Sequence, residues 1–233
     1  GLGDVYKRQA HDGQDFAPEE LRYLEKICYY SSYALRNANL YQNAYRASIT
    51  DDLTSLYNRK HAFECIDNVC QHQKPSTLIV LDIDDFKLYN ELYGAQESDN
   101  LIHRFAQVIL QEISSKDIGF RFGADEFLIL KAGTNIDEAC SCCKRIVDAI
   151  TDATPANTVW DITITCGISV FPDISTDAAS FLHNAEQAIY YGKQSGKGNI
   201  EVYRPGIDER SHDPDIRAAY CLLYTSDAAD EAR

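Results

Sequence analysis

Four acidic residues lie at the ends of apolar segments, where a carboxylate is costly to bury. The segment LIVLDIDDF contains Asp82 and Asp84, and the segment FGADEF contains Asp125 and Glu126. Strand alternation places Asp82 and Asp84 on one face. A buried carboxylate must be neutralised, paired or bound to a metal ion. If the two segments are neighbouring strands, Asp82 and Asp125 converge, and two carboxylates beside a carbonyl suit Mg²⁺. The alternative is that these acids end their strands in solvated turns.

A second group of candidates is basic. The segment YYGKQSGKGN places Lys193 and Lys197 four residues apart, around Gly196 and Gly198. If a helix ends near Lys193, both ammonium groups can point to one place, and the glycines let the backbone approach a phosphate. The alternative is an ordinary helix C-terminus, where basic residues face the helix dipole and a glycine ends the helix.

The elements that must position these groups alternate between strands and helices. Apolar, β-branched segments predict strands, and apolar residues at helical spacing predict helices. The predicted strands are 77–83, 120–122, 127–130, 161–170 and 200–203. The predicted helices are 58–71, one through 101–109 capped by Asp99 or Asn100, a cysteine-bearing helix over 136–150, and 178–193. Strands 120–122 and 127–130 form a hairpin in this interpretation. The mixture predicts an α+β fold, with helices over a mainly antiparallel central sheet.

A long helix is predicted before this unit. Pro18 follows Ala17 and precedes two glutamates, which is typical of a helix start. The helix continues without Gly or Pro until past Tyr45. Residues at heptad-like spacing form a weak seam: Leu21, Leu24, Cys28, Ser31, Leu35, Ala38, Gln42 and Tyr45. A coiled coil and a helix packed on its own domain both fit this pattern.

Composition excludes some classes of protein. The 233 residues hold 22 Lys and Arg against 36 Asp and Glu, a net charge of −14, which disfavours a nucleic acid polymer as partner. No apolar run approaches the roughly 20 residues of a membrane helix, so no membrane segment is expected in this fragment. The eight cysteines accompany no secretory signal, and Cys140 and Cys143 read as buried small side chains. These features favour the reducing cytoplasm.

The ends of the sequence are treated separately. There is no methionine, so the chain is expected to be a fragment. The opening GLGDVYKRQ and the closing CLLYTSDAADEAR resemble adapter-derived translations. Residues 1–15 are therefore expected to be artefactual or disordered, and 205–233 a tail that is artefactual over 221–233.

Five motifs together resemble the GGDEF domain family in order and spacing. They are DDLTSLYNR, DIDDFKLYNELYGAQESD, RFGADEF, ITCGISVFP and AEQAIYYGKQSGKGN, within residues 49–204. The resemblance implies a diguanylate cyclase with a palm-like nucleotide-cyclase fold, which condenses two GTP into cyclic di-GMP and releases two pyrophosphates. It also implies a homodimer, since each domain holds one GTP. Residues 16–48 look like the last helix of a GAF sensor domain, whose remainder would be missing here.

The resemblance also implies roles for individual residues. Asp82 and Asp125, with the Ile83 carbonyl, would hold two Mg²⁺ (or Mn²⁺) ions. Glu126 would lie beside them, in the metal shell or supporting it, and would act with Asp125 in catalysis. The substrate-binding positions are two guanine readers, two phosphate lysines and a backbone segment that faces phosphate: Asn90 and Asp99, Lys193 and Lys197, and Phe86 with Lys87.

Several positions depart from the family pattern. Ala124 replaces the second glycine of the signature, Ala95 a histidine, Ser98 a glycine, and Lys197 an arginine. If position 124 needs a positive φ, the alanine costs on the order of 1 kcal/mol. These changes leave open a degenerate domain that binds GTP without turnover.

The inhibitory Arg-x-x-Asp motif of the family reads Ser-Ser-Lys-Asp, ending at Asp117. Because the arginine is absent, we expect no inhibitory product site.

Overall fold

The computed structural model describes residues 17–153 and 162–206. Two compact units divide at Thr50, and each is described by itself. The first unit is one helix, α1 (Pro18–Ile49), with 32 residues. The second holds the sheet and the remaining described helices. The predicted segments 1–15 and 221–233 lie outside the described residues.

The second unit interleaves five helices with five strands. The helices are α2 (Arg59–Gln71), α3 (Phe86–Tyr93), α4 (Ala95–Glu112), α5 (Ile136–Ala153) and α6 (Ala178–Gln194). The strands are β1 (Ser76–Ile83), β2 (Ile118–Arg121), β3 (Glu126–Ala132), β4 (Ile164–Phe171) and β5 (Ile200–Val202).

The strands form one sheet in the order β2-β3-β1-β4-β5. Every neighbouring pair is antiparallel except β4 and β5. The central strand β1 is flanked by β3 and β4, so a residue near its end has a partner on each side. The predicted α+β class and its mainly antiparallel sheet are confirmed.

Strand alternation divides the core between the two faces of the sheet. On one face, residues such as Ile79 and Leu81 pack with apolar side chains of α4 and α5. On the other, residues such as Leu78 and Val80 pack with α2 and α6. Asp82 continues this second series, so it lies on the face that α6 covers. Gly167 lets α6 approach β4 closely, because a side chain there would collide with the Ala185 carbonyl.

One predicted helix boundary is wrong. Asp99 and Asn100 do not cap the helix through 101–109; they lie inside α4, which begins at Ala95. The preceding helix, α3, was not predicted. Gly94 joins α3 to α4 with φ 82°, a conformation that favours glycine.

Helix α1 exposes many large side chains. Its first turn is capped by Glu20, whose carboxylate accepts a hydrogen bond from the Ala17 amide at 2.9 Å. Nine large hydrophobic side chains are more than half exposed: Tyr23, Ile27, Tyr29, Tyr30, Tyr33, Leu35, Leu40, Tyr41 and Tyr45. None of the helices in the described ranges is long and apolar enough to cross a membrane.

On the cysteine-bearing helix α5 the predicted burial is confirmed for Cys143 and is wrong for Cys140. Cys142 and Cys143 are fully buried, whereas Cys140 is only half-buried. The seven cysteines of the described residues are all free thiols.

Candidate active site

The site begins at the end of the central strand. Asp82 lies directly opposite Glu126 of β3 and Thr165 of β4. The next residue, Ile83, donates its amide to the Asp125 carbonyl at 3.2 Å. The antiparallel register therefore brings Asp82, Asp125 and Glu126 together, although 43 residues separate the first two in sequence (125 − 82).

One lysine faces these carboxylates. Lys193, in the last turn of α6, places Nζ 2.6 Å from Asp82 Oδ1. Asp82 is 7% exposed, so this ion pair is largely removed from solvent. Lys193 thus offsets only part of the negative charge that the three acids carry when they are ionised.

The electrostatics of the site follow from burial and crowding. Burial raises the pKa of Asp82 to about 6, with Lys193 opposing the shift and Asp125 and Asp84 adding to it. Burial also raises the pKa of Glu126 to about 7, and the charges of Asp82, Glu186 and Asp125 add to it. Burial likewise raises the pKa of Asp125. Each acid therefore holds its proton more tightly than in water.

The residues present fit a divalent metal ion. Two carboxylates and a backbone carbonyl are oxygen donors of the kind that Mg²⁺ prefers, and it completes its shell with water and phosphate oxygens. The Asp82 carboxylate is buried and has the ammonium of Lys193 beside it. No three His, Cys, Asp or Glu side chains among residues 17–153 and 162–206 are grouped to hold a metal by themselves.

Arg121 stabilises the turn of the GADEF signature, residues 123–126, through hydrogen bonds to its backbone. Its guanidinium donates to the carbonyls of Gly123 and Ala124, at 3.2 and 3.1 Å. It also forms an ion pair with Asp51, 3.3 Å away. The turn closes through the Glu126 carbonyl, which accepts from the Gly123 amide at 3.1 Å.

Ala124 does not carry the backbone strain considered for it. The non-glycine residues with positive φ in the described ranges are Ser55, Gln73, Asp85 and Lys197, and Ala124 is not among them. Its side chain is exposed. An alanine therefore fits this turn at no conformational cost, and the expected penalty is absent.

The two predicted phosphate lysines do not point to one place. Lys193 pairs with Asp82, whereas Lys197 lies 2.7 Å from Asp85 Oδ1. Both pairs are nevertheless formed with the same segment, the end of β1 and the turn that follows it.

Asp84 is a structural residue of the site whose role the sequence did not reveal. Its buried carboxylate accepts hydrogen bonds from the hydroxyls of Thr163 and Thr165, each at 2.9 Å, and from the Gly198 amide at 3.1 Å. These bonds tie the loop that carries Lys197 to the end of β1. Strand alternation placed Asp84 on the same face as Asp82, and this was the only local signal of its role. The groups that donate to its carboxylate lie about 80 and 114 residues away in the sequence.

The predicted guanine readers lie on neighbouring helices. Asn90 is on α3 and Asp99 is in the second turn of α4, and both are exposed. The Gly94 elbow joins the two helices. Phe86 and Lys87 form the first turn of α3, where free backbone amides favour an anion.

Asp117, at the position of the family's inhibitory aspartate, has a carboxylate that is hydrogen-bonded within the protein. Asp117 Oδ2 accepts from the Ser114 amide at 3.0 Å and from Lys131 Nζ at 2.8 Å. Its other oxygen accepts from the Ala132 amide at 3.3 Å.

The fold and the site together define a palm-like cyclase domain: a mainly antiparallel sheet with acids at the ends of adjacent strands and a lysine opposite. The chain belongs to the family described as "Diguanylate cyclase, GGDEF domain", which matches residues 48–199 and confirms the resemblance.

Individual relatives agree with this assignment. The uncharacterized protein YtrP of Bacillus subtilis is 30% identical over 189 residues, which cover 81% of this chain and 32% of YtrP. Diguanylate cyclase DgcS of Shewanella oneidensis is 32% identical over 168 residues, 70% of this chain and 55% of DgcS. The chain therefore spans about a third to just over half of these relatives.

A solved structure shares the fold. The coiled coil and GGDEF domain of DgcB from Caulobacter crescentus, in complex with c-di-GMP, aligns with a TM-score of 0.70 at 22% identity. The alignment covers 77% of this chain and 98% of that one.

Proposed function

We propose that residues 49–204 act as a diguanylate cyclase, condensing two GTP into cyclic di-GMP. The observation that carries the proposal is the group of three crowded carboxylates, Asp82, Asp125 and Glu126, faced by one lysine. Crowded carboxylates attract cations, and a metal–triphosphate complex would bring a divalent cation to them.

In this proposal each residue has a separate task. Asp82, Asp125 and the Ile83 carbonyl hold Mg²⁺ or Mn²⁺, which when bound supplies charge neutralisation for the triphosphate and lowers the pKa of the attacking 3′-hydroxyl. Glu126 lies beside Asp125 and directly opposite Asp82, where it would act in catalysis next to the metal ligands.

The substrate is oriented by the flanking elements. Lys193 and Lys197 neutralise the β- and γ-phosphates, and the first turn of α3, at Phe86 and Lys87, offers backbone amides to phosphate. Asn90 and Asp99 bind the guanine edge. Each of two 3′-oxygens forms a bond to an α-phosphorus, and each bond formed expels one pyrophosphate.

The reaction needs a homodimer, because one domain holds one GTP and the second hydroxyl must come from another copy. The exposed aromatic and aliphatic side chains of α1 are suitable for this pairing. We propose that residues 16–48 are a signalling linker from a GAF-like sensor domain, and that the domain works in the cytoplasm, where GTP is available.

We also propose that no inhibitory product site operates at Asp117. Its carboxylate is already committed to Ser114, Lys131 and Ala132, and the companion arginine is replaced by Ser114. Added cyclic di-GMP should therefore leave the initial rate unchanged. A steep inhibition that Asp117→Ala abolishes would contradict this.

The second candidate is a degenerate domain that binds GTP without turnover and regulates a neighbour. The substitutions Ala95, Ser98 and Lys197 favour it, as does the occupation of Asp82 by Lys193.

An assay of the whole chain with GTP and Mg²⁺ separates the two candidates. Product that is lost in Asp125→Ala but kept in Asp173→Ala, an exposed acid in the turn after β4, supports the cyclase. A specific activity that rises with protein concentration supports the homodimer. Saturable GTP binding without product supports the regulatory domain, and no GTP binding contradicts both.

A further inference from the structure

A buried hydroxyl connects the two helices that carry the proposed guanine readers. Ser98, in the first turn of α4, is 3% exposed. Its Oγ lies 3.0 Å from Asn90 Oδ1 and 3.1 Å from the Gly94 carbonyl oxygen. The hydroxyl hydrogen is therefore directed between a side chain of α3 and the backbone of the elbow.

This contact restricts the Asn90 amide. An exposed asparagine at the end of a short helix rotates freely about its side-chain torsions, and ordering it on binding costs entropy. The Ser98 hydroxyl donates to Oδ1, so the amide oxygen faces α4 and Nδ2 faces away from Ser98. A glycine at position 98, as in the family pattern, has no group that could make this bond.

We propose that Ser98 is a positioning residue that sets base specificity by holding Asn90 as a hydrogen-bond donor. The proposal rests on the proposed function, in which Asn90 and Asp99 bind the base. Asn90 then offers Nδ2–H to an acceptor atom of the purine. The Asp99 carboxylate accepts from N–H groups, and guanine has two such neighbouring donors, N1–H and the 2-amino group, where adenine has only its 6-amino group.

The effect on binding follows from this division of roles. Without the Ser98 hydroxyl, Asn90 can turn its oxygen toward the base and accept from the 6-amino group of adenine. Loss of the hydroxyl should weaken GTP binding about 3- to 10-fold by releasing one ordered side chain. It should also lower the preference for GTP over ATP.

The test measures Kd for the α-thio analogues of GTP and ATP, which react slowly, on the whole chain in Mg²⁺. The variants are Ser98→Ala, Asn90→Ala and the double variant. We expect Ser98→Ala to weaken GTP analogue binding and lower the GTP/ATP ratio in the wild-type background, but to change Kd less than about 2-fold when Asn90 is already alanine. Ser98→Thr keeps the hydroxyl and should restore the ratio.

A matched control removes a similar bond elsewhere. Ser141 on α5 also bonds the carbonyl four residues before it, at 2.7 Å, and it lies on an exposed surface. Ser141→Ala should change neither Kd nor the ratio. Circular dichroism and thermal unfolding confirm that each variant is folded, and Ser98→Gly replaces Ser98→Ala if the latter is not.

The outcomes distinguish a failure of the role of Ser98 from a failure of the proposed function. Equal effects of Ser98→Ala in both backgrounds, or a neutral Asn90→Ala, overturn the role of Ser98 while leaving GTP binding and the cyclase intact. Wild-type protein that binds no GTP analogue overturns the proposed function and this inference together.

Discussion

Strand β3 carries an ionisable side chain near each end, the half-buried Glu126 and the buried Lys131. The charges around these two side chains are balanced differently. At its start, Glu126 joins Asp82 and Asp125, and one lysine faces all three. Near its far end, Lys131 pairs with Asp117, whose carboxylate also accepts from backbone amides. The pKa of Glu126 is raised to about 7 by burial and neighbouring acids. The pKa of Asp117 is lowered, because the donors from Lys131 and Ser114 outweigh its burial.

The difference separates a structural ion pair from the proposed metal-binding site. At the Asp117 end the carboxylate is paired with Lys131 and accepts from backbone amides, so the pair contributes to folding. At the Asp82 end the charges are incompletely balanced, so the fold bears an electrostatic cost that a bound cation would relieve.

The largest expected effect is on catalysis at the unbalanced end. Asp82→Asn should reduce cyclic di-GMP formation by about 10³-fold, since it removes a proposed metal ligand worth several kcal/mol in the transition state. The same variant should unfold at an equal or higher urea concentration at pH 7, because it removes a crowded charge. Parallel assays of turnover and urea unfolding check both parts, and normal turnover would show that the metal assignment is wrong.

The next effect concerns stability at the balanced end. Asp117→Asn leaves the ammonium of Lys131, which is 8% exposed, without its main partner. We expect a loss of about 3–5 kcal/mol in the free energy of unfolding. Glu138→Gln is the matched control, because Glu138 is an exposed partner of the same lysine and should cost less than about 1 kcal/mol.

The pH dependence of stability should distinguish the two ends. The pKa values of Asp82 and Glu126, about 6 and about 7, lie above the unfolded values of 3.8 and 4.5, so both bind protons more tightly when folded. Their contribution to stability is present below pH 4 and is lost as the pH rises to about 7, on the order of 1–3 kcal/mol without metal. The lowered pKa of Asp117 has the opposite sign: its contribution is present above pH 4 and is lost as the pH falls further.

Urea unfolding in EDTA at pH 4.5 and 7.5 measures the first contribution. Asp82→Asn should reduce the difference between the two pH values, and Mg²⁺ with GTP should restore stability at pH 7.5. A wild-type protein that is more stable at pH 7.5 than at 4.5 by the full amount would contradict the electrostatic interpretation.

The smallest effect is expected at the signature turn. Ala124 has no positive φ and an exposed side chain, so Ala124→Gly relieves no strain. Turnover should change less than about 2-fold. A large gain in activity would indicate that position 124 needs a different conformation during the reaction.

The sheet was predictable because local sequence patterns indicate where most of its strands lie. The run that forms β1 is continuously apolar, and the hairpin of β2 and β3 surrounds a polar turn, so both were found with small errors at their ends. The convergence of Asp82 with Asp125 followed once the two segments were assumed to be neighbours.

The parts that were missed depend on backbone conformation and on distant partners. Asp85, the residue before α3, has a left-handed conformation, and the residue before α4 is Gly94. Neither helix start therefore has the side-chain cap that sequence reasoning looks for. The separate partners of Lys193 and Lys197 lie more than 100 residues away, and no local pattern reports such pairs.

The exposure of Cys28 on α1 makes the helix selectively accessible to thiol chemistry. Among the seven cysteines of the described residues it is the exposed one, and the others are half-buried or buried. Burial raises the pKa of Cys70 to about 11, so that thiol is a poor nucleophile at neutral pH. Among these seven thiols a maleimide dye would therefore attach first to Cys28, and energy transfer between two such dyes would follow the pairing of helices in solution.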